Sequence, residues 1–202
     1  YYQAFVNPPI YGVYNENNTA AYPEPFDSPQ NYGYGNSYGN PAAAAYYHDS
    51  REKGFKTVFS AYAEASIIPE KLKFKTSYNL DFYFFDSRNY SPENYVGGSQ
   101  GNATSALSKT YGYGTYHIID NTLTYSDTKG AHSFSAMLGQ STRMQYNASL
   151  TGRANSVPGF DEQSKYLVNG SYKNQTTSDA ASRYNGLSFF ARGTYNYKDK
   201  YL

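Results

Sequence analysis

Leu72-Lys-Phe-Lys-Thr-Ser-Tyr-Asn-Leu-Asp-Phe-Tyr-Phe84 decides the fold. Leu72, Phe74, Thr76, Tyr78, Leu80, Phe82 and Phe84 alternate with Lys73, Lys75, Ser77, Asn79, Asp81 and Tyr83. Successive side chains of an extended chain point to opposite faces, so a period of two with the charges on one side predicts a strand with one apolar and one polar face. Upstream, Phe55, Thr57, Phe59, Ala61, Ala63, Ala65 and Ile67 repeat the apolar side against Lys56, Ser60, Tyr62, Glu64 and Ser66, with Val58 the exception. Ile68-Pro-Glu-Lys71 between them reads as a short turn.

The pattern continues outward. Residues 109–126 predict a third strand with Ile119, Leu123 and Tyr125 on its apolar side, followed by the turn Asp127-Thr-Lys-Gly130. His132 to Thr151 form a fourth, with Phe134, Ala136 and Leu138 outward. Tyr184 to Tyr197 form a fifth, with Leu187, Phe189, Ala191 and Tyr195 opposing Ser188, Arg192, Thr194 and Asn196. After a turn at 198–200, Tyr201-Leu202 reads as the start of a sixth.

Connection lengths then sort themselves. Turns near 68–71, 127–130 and 198–200 are short and charged, whereas 7–52, 86–107 and 152–183 are long, polar and rich in Gly, Ser, Asn and Tyr. A meander with short turns at one end and long loops at the other is the layout of an outer-membrane barrel, short side periplasmic and long side extracellular. The expected strands exceed the roughly 9–11 residues that cross a bilayer at a tilt. They are also longer than the ~5–6 usual in a soluble sandwich. Aromatic residues at strand ends, among them Phe82, Phe84, Phe85, Tyr125, Tyr195 and Tyr197, suit girdles at the two membrane interfaces. The reading is an all-β, antiparallel, up-and-down transmembrane segment of about five complete strands. Residues 1–52 form a long extracellular loop with a possible strand end at 1–6, and 53–202 carry the strands.

Composition agrees. Tyr occurs 26 times and Phe 12, with a mean hydropathy of −0.75. A disordered polar chain would be poor in aromatics, and a barrel strand needs only every second residue apolar. There is no apolar run of about 18 residues for a membrane helix and no secretory leader in the sequence as read. Seventeen basic against 16 acidic side chains leave a formal charge of +1, so nothing points to nucleic acid. The absence of Cys excludes disulfides and thiolate metal sites.

Catalysis finds no support. His48, His117 and His132 lack partner spacing, and Asp120 beside His117 reads as inward polar lining. No metal cluster, nucleophile elbow or phosphate loop is present, and no cofactor is expected. Tyr111-Gly-Tyr-Gly114 superficially matches a potassium filter, which needs pore helices and four-fold assembly. Asn-x-Ser/Thr sequons, among them those at Asn17, Asn102, Asn147, Asn169 and Asn174, are at chance level in so polar a chain. Tyr90, Asn94, Tyr95 and the Tyr/Asn run at 31–40 are loop candidates for stacking on a ligand. Packing of loops against one another is the commoner use of such side chains. Lys73, Lys75, Asp81 and Arg192 are the expected lumen-facing set.

Three stretches carry a family resemblance: Ser188-Phe-Phe-Ala-Arg-Gly-Thr-Tyr-Asn-Tyr-Lys-Asp-Lys-Tyr-Leu202; Asn121-Thr-Leu-Thr-Tyr125 with His132-Ser-Phe-Ser-Ala-Met-Leu-Gly139; and Asn40-Pro-Ala42 with Leu72-Lys-Phe-Lys-Thr-Ser-Tyr78. In family order they resemble the barrel of SusC/RagA-type TonB-dependent transporters. In the first, Phe190, Arg192, Tyr195, Asn196, Tyr197, Lys200, Tyr201 and Leu202 occupy the pattern. The resemblance implies a barrel of about 22 strands around an internal plug. It also implies outer-membrane lipid around the barrel, a SusD-like surface lipoprotein partner, energy from the TonB complex, and a glycan or, next, an oligopeptide as cargo. On that reading the sequence is part of a wall, without plug or TonB-contacting segment. The rival readings are a passive porin and a secreted tyrosine-rich adhesin or self-associating β protein.

Overall fold

The structure, a computed structural model, describes residues 12–18, 24–35, 39–97 and 100–198. Among the described residues there are seven strands: β1 (Asp49–Ile68), β2 (Leu72–Ser91), β3 (Asn94–Gly97), β4 (Gln100–Asn102), β5 (Ala106–Lys129), β6 (His132–Asn155) and β7 (Thr176–Tyr197). Five form one antiparallel sheet in the order β1-β2-β5-β6-β7, and β3 pairs with β4 as a separate hairpin. Strand neighbours in the large sheet are therefore neighbours in sequence, as an up-and-down meander requires. The sheet is all-β and open. Prolines bracket the ladder. Pro69, Pro92 and Pro158 each stand just outside a strand, because proline has no N–H to give.

The first turn spans 69–71, as the sequence reads; the second is shorter than Asp127-Thr-Lys-Gly130, because β5 runs on to Lys129 and leaves only Gly130 and Ala131. Lys71 N–H donates to Ile68 O at 3.1 Å, and Glu70 takes a left-handed φ of 63°. Gly130, with φ 60°, closes the turn after β5. Near 198–200 only Lys198 is described. The possible strand end at 1–6 and the sixth-strand start at 201–202 lie outside the described residues.

The strands run further than the alternation predicts. β1 starts at Asp49 rather than near Phe55, β2 continues past Phe84 to Ser91, and β5 starts at Ala106. β6 ends at Asn155 and β7 begins at Thr176, eight residues before Tyr184. The two long connections shrink to 92–105 and 156–175, and the first contains the β3–β4 hairpin. The extensions of β2, β5 and β6 add only isolated buried residues, Tyr90, Leu107 and Ala154, among polar ones, and residues 176–185 are exposed throughout. A single apolar side chain in a polar stretch makes no period of two to read.

A helix also went unread. Within the long first segment, α1 (Pro41–Tyr46) starts at an Asn40 cap whose side chain accepts from Ala42 and Ala43 N–H, with Pro41 in the first helical position. Asn40 also donates through Nδ2 to Val13 O and Asp27 O, both at 2.9 Å.

The chain divides into two compact units. One comprises 1–53, 86–111 and 150–179 and gathers the long connections; the other comprises 54–85, 112–149 and 180–202 and gathers the short turns. Two small clusters form the core of the first unit. Phe26, Ala43 and Val96 are buried with Ala42 and Tyr47 against them, and Tyr90, Leu107, Ala154 and Val157 are buried under Leu167. Among the described residues no helix is long and apolar enough to cross a membrane, which does not bear on strands.

Candidate functional site

In the unit of short turns, the alternation becomes two chemically distinct faces. On the apolar face the Phe55 ring lies 5.6 Å from Phe82 and 5.8 Å from Phe84, and Tyr125 lies 5.7 Å from Phe134. On the polar face Lys56 pairs with Asp81 at 2.7 Å, Glu64 with Lys73 at 3.6 Å, and Lys75 sits 4.8 Å above the Tyr62 ring. The second Asp81 oxygen is buried and has no hydrogen-bond partner among the described residues. Lys75 shares a recess of about 440 Å³ with Asp120, Arg143 and Phe190. Arg192, two residues along from Phe190, falls on the same side by the strand period.

Glycines seat the aromatic rings on that face. A Cβ on Gly114 would lie 2.4 Å from the Tyr83 ring and 2.6 Å from Asn147 Oδ1, one on Gly112 2.4 Å from Phe85, and one on Gly139 2.1 Å from Phe190. Tyr83 crosses over Gly114 to donate its hydroxyl to Asn147 at 3.0 Å. The Tyr-Gly-Tyr-Gly motif is thus a seat for two rings of the neighbouring strand.

His117 and Asn121 fall on the apolar side with Ile119 and Leu123, opposite Asp120. His117 Nδ1 is 2.9 Å from the Tyr78 hydroxyl, on the apolar side, and Asn121 donates to Gln140 at 2.7 Å. Each polar group there is matched by a cross-strand partner, which lowers the cost of an apolar surrounding.

In the unit of long connections the principal concavity is a cleft of about 760 Å³, a size suited to a small ligand. Its floor is fixed: Tyr90 and Ser105 hydroxyls both donate to Val157 O, at 3.2 and 2.8 Å, and Ser156 N–H donates to Ser105 O at 2.7 Å. Tyr46, Tyr47 and Phe160 supply aromatic walls, and Asp49, Glu93 and Lys165 supply charge. Tyr46 and Tyr47 meet edge to face at 5.1 Å, while Phe160 is almost wholly exposed (93%).

An ion cluster holds one side of this cleft. Lys165 Nζ contacts Asp49 at 2.6 Å and Glu162 at 3.2 Å, and Arg88 contacts Asp49 at 2.8 Å and also pairs with Glu162. Hydrogen bonds from Arg88 and then Lys165 hold the Glu162 carboxyl at a pKa of about 2, below its ordinary 4.5. Burial disfavours the Lys165 charge, but hydrogen bonds to Asp49 and Glu162 outweigh it and raise the ammonium pKa. The Glu162 contribution is fully present above pH 4.5 and is lost as pH falls toward about 2. Hydrogen exchange over residues 156–175 is therefore expected to accelerate across that window, and a Glu162→Gln variant is expected to lose the acid-dependent step.

Of the loop candidates, Tyr90 lines the cleft from below, 95% buried, with Lys165 stacked 5.1 Å above its ring. Asn94 and Tyr95 belong to β3, away from the cleft lining. Asn94 donates to Pro92 O at 3.0 Å, and Tyr95 packs beside Gly101. Sequence reasoning missed Asp49, Glu93, Phe160 and Lys165, which read as ordinary loop polarity. Pro158-Gly159-Phe160, an exposed aromatic on a tight bend after a long strand, was the available signal. Among the described residues no group of three or more His, Cys, Asp or Glu could hold a metal.

No protein-family profile matches the sequence, and no curated protein matches it. Solved structures do. The RagAB peptide transporter is similar at a TM-score of 0.69 and 15% identity, covering 81% of this chain and 18% of that one. The RagAB peptide importer in its open-open state is similar at a TM-score of 0.67 and 16% identity, with the same coverages. The RagA chain of that complex is a SusC-like TonB-dependent transporter. The chain therefore shares the fold of a barrel segment of that transporter and spans about a fifth of its length. The structural neighbours are transporters, not enzymes.

Proposed function

We propose that this chain is a wall segment of an outer-membrane, TonB-dependent importer that works with a SusD-like lipoprotein. The observation that carries the reading is the sequential five-stranded sheet, whose short turns and long connections alternate as they do in outer-membrane barrels and which matches the RagAB fold over 81% of the chain. The short-turn unit would cross the bilayer, its apolar face toward lipid. Lys73, Lys75, Asp81 and Arg192 would face the lumen, and the long connections would be extracellular. The cargo we favour is an oligopeptide, because the similar solved complexes are peptide transporters. Plug movement driven by TonB would open the path through parts of the barrel beyond this segment.

The test is cell fractionation of the full-length gene product. We expect an outer-membrane protein whose electrophoretic mobility changes on heating, as a folded barrel's does. Recovery as a soluble secreted protein would overturn the reading in favour of an adhesin. Uptake that persists after TonB is deleted would reduce it to a passive pore.

A further inference from the structure

Resting on that import reading, we infer that the 760 Å³ cleft receives a cationic peptide segment, with Glu93 as the counter-charge and Tyr46, Tyr47 and Phe160 contacting an apolar neighbour of the cation.

The charge accounting favours a cation. Three charged side chains line the cleft, and two of them neutralise each other, because Lys165 and Asp49 are 2.6 Å apart. Asp49 is further held by Arg88 and Lys165 by Glu162. Glu93 makes no ion pair among the described residues, and it is exposed at the end of β2 beside Pro92. An entering ammonium or guanidinium therefore meets an uncommitted carboxylate. An entering carboxylate or phosphate meets that same carboxylate, and the nearby cations are already committed.

The hydrogen-bonding inventory separates a peptide from a glycan. A sugar ring presents a hydroxyl on nearly every carbon and needs a matching set of donors and acceptors. Here Ser105 is committed to Val157 O, the Tyr90 hydroxyl to the same carbonyl, and Asp49 and Lys165 to the ion cluster. Thr104, Ser156 and Glu93 are the few polar side chains left for a ligand, and the other exposed lining is aromatic or aliphatic: the Phe160 ring, the Tyr46 edge, Pro92 and Pro158. Such a wall suits the apolar side chains of a peptide flanking a Lys or Arg, and cation–π contact with an exposed ring would add to it.

The experiment uses the intact protein purified from outer membranes in detergent. Three fluorescently labelled probes share the frame acetyl-Ala-Phe-X-Phe-Ala-amide with X as Lys, Gln or Glu, and a glucose tetrasaccharide is the fourth. We expect the Lys probe to bind about fivefold more tightly than the Gln probe, the upper end for a solvent-exposed ion pair. The Glu probe should bind more weakly still. The Lys preference should shrink in high salt and vanish in Glu93→Gln, whose folding is checked by its heat-modifiable band. Phe160→Ala should weaken the Lys and Gln probes alike. Equal affinity for the Lys and Glu probes, a Lys preference that survives Glu93→Gln, or binding of the tetrasaccharide alone would overturn the inference. A protein that fractionates as a barrel and imports peptide without charge preference would sink this inference only. A soluble protein would sink the import reading beneath it.

Discussion

Arginine in place of Leu80 is expected to destabilise the folded barrel by about 1 kcal/mol, the cost rising to about 2–4 kcal/mol at mid-bilayer depth, while arginine at the adjacent Asn79 costs far less. The two residues sit at essentially the same depth on β2 and point to opposite faces. Depth, strand and substituent therefore cancel, and only the face differs. Leu80 shares its side with Tyr78, Phe82 and Phe84, whereas Asn79 accepts a hydrogen bond from Ser60 at 2.7 Å on the polar side. An arginine among apolar neighbours facing lipid must lose its hydration or reach for the interface; one on the polar face stays in water. The penalty also has a depth profile. Leu138 is the seventh residue of β6 counted from the short turn, and Leu80 the ninth of β2. A crossing of roughly ten residues puts Leu138 nearer the midplane. Leu138→Arg should accordingly cost the more of the two. Urea unfolding of the full-length protein in lipid measures all three. Equal effects at positions 79 and 80 would mean that neither face meets lipid, and the barrel reading would lose its physical basis.

What was legible in the sequence, and what was not, divides along the same physical line. Alternating polarity writes a period of two into β2, and the faces inferred there appear as the Phe55–Phe82–Phe84 contacts on one side and the Lys56–Asp81 pair on the other. Where polar residues occupy both faces, as over much of 176–185, there is no alternation and the strand leaves no trace. The α1 cap was present in the letters as Asn40-Pro41 followed by four alanines, but a dense run of prolines around it favoured an irregular reading. The cleft was illegible for another reason. Its lining comes from residues 46–49, 90–93, 103–105 and 156–165, four segments that only strand pairing brings together. Each charge reads locally as solvation, and the difference between committed Asp49 and uncommitted Glu93 exists only once Arg88 and Lys165 are placed.

Valine at Gly114 is the second substitution expected to carry a large cost, about 1–3 kcal/mol for forcing added atoms into an occupied space. The position lies inside β5, where glycine is normally a weakness. Its value is the absence of a side chain. The Tyr83 ring occupies the volume a Cβ would need, approaching to 2.4 Å, and spans β5 to reach Asn147 on β6. Valine would expel the ring and break that hydrogen bond, a net contribution of about 1 kcal/mol or less at an exposed site. The decisive measurement is a double-mutant cycle. If the ring and the glycine form one unit, Tyr83→Ala should recover much of the Gly114→Val loss, because the smaller residue vacates the space; the two single effects would then sum to well over the double. Gly112→Val offers a contrast, since its Cβ would meet Phe85 at 2.4 Å and also the Ala148 carbonyl at 3.3 Å. A ring can rotate away, whereas a ladder carbonyl cannot without disturbing the β5–β6 pairing. Phe85→Ala should therefore rescue Gly112→Val less completely than Tyr83→Ala rescues Gly114→Val. Additive effects at both pairs would show that the rings lie elsewhere and that the glycines serve backbone bending instead.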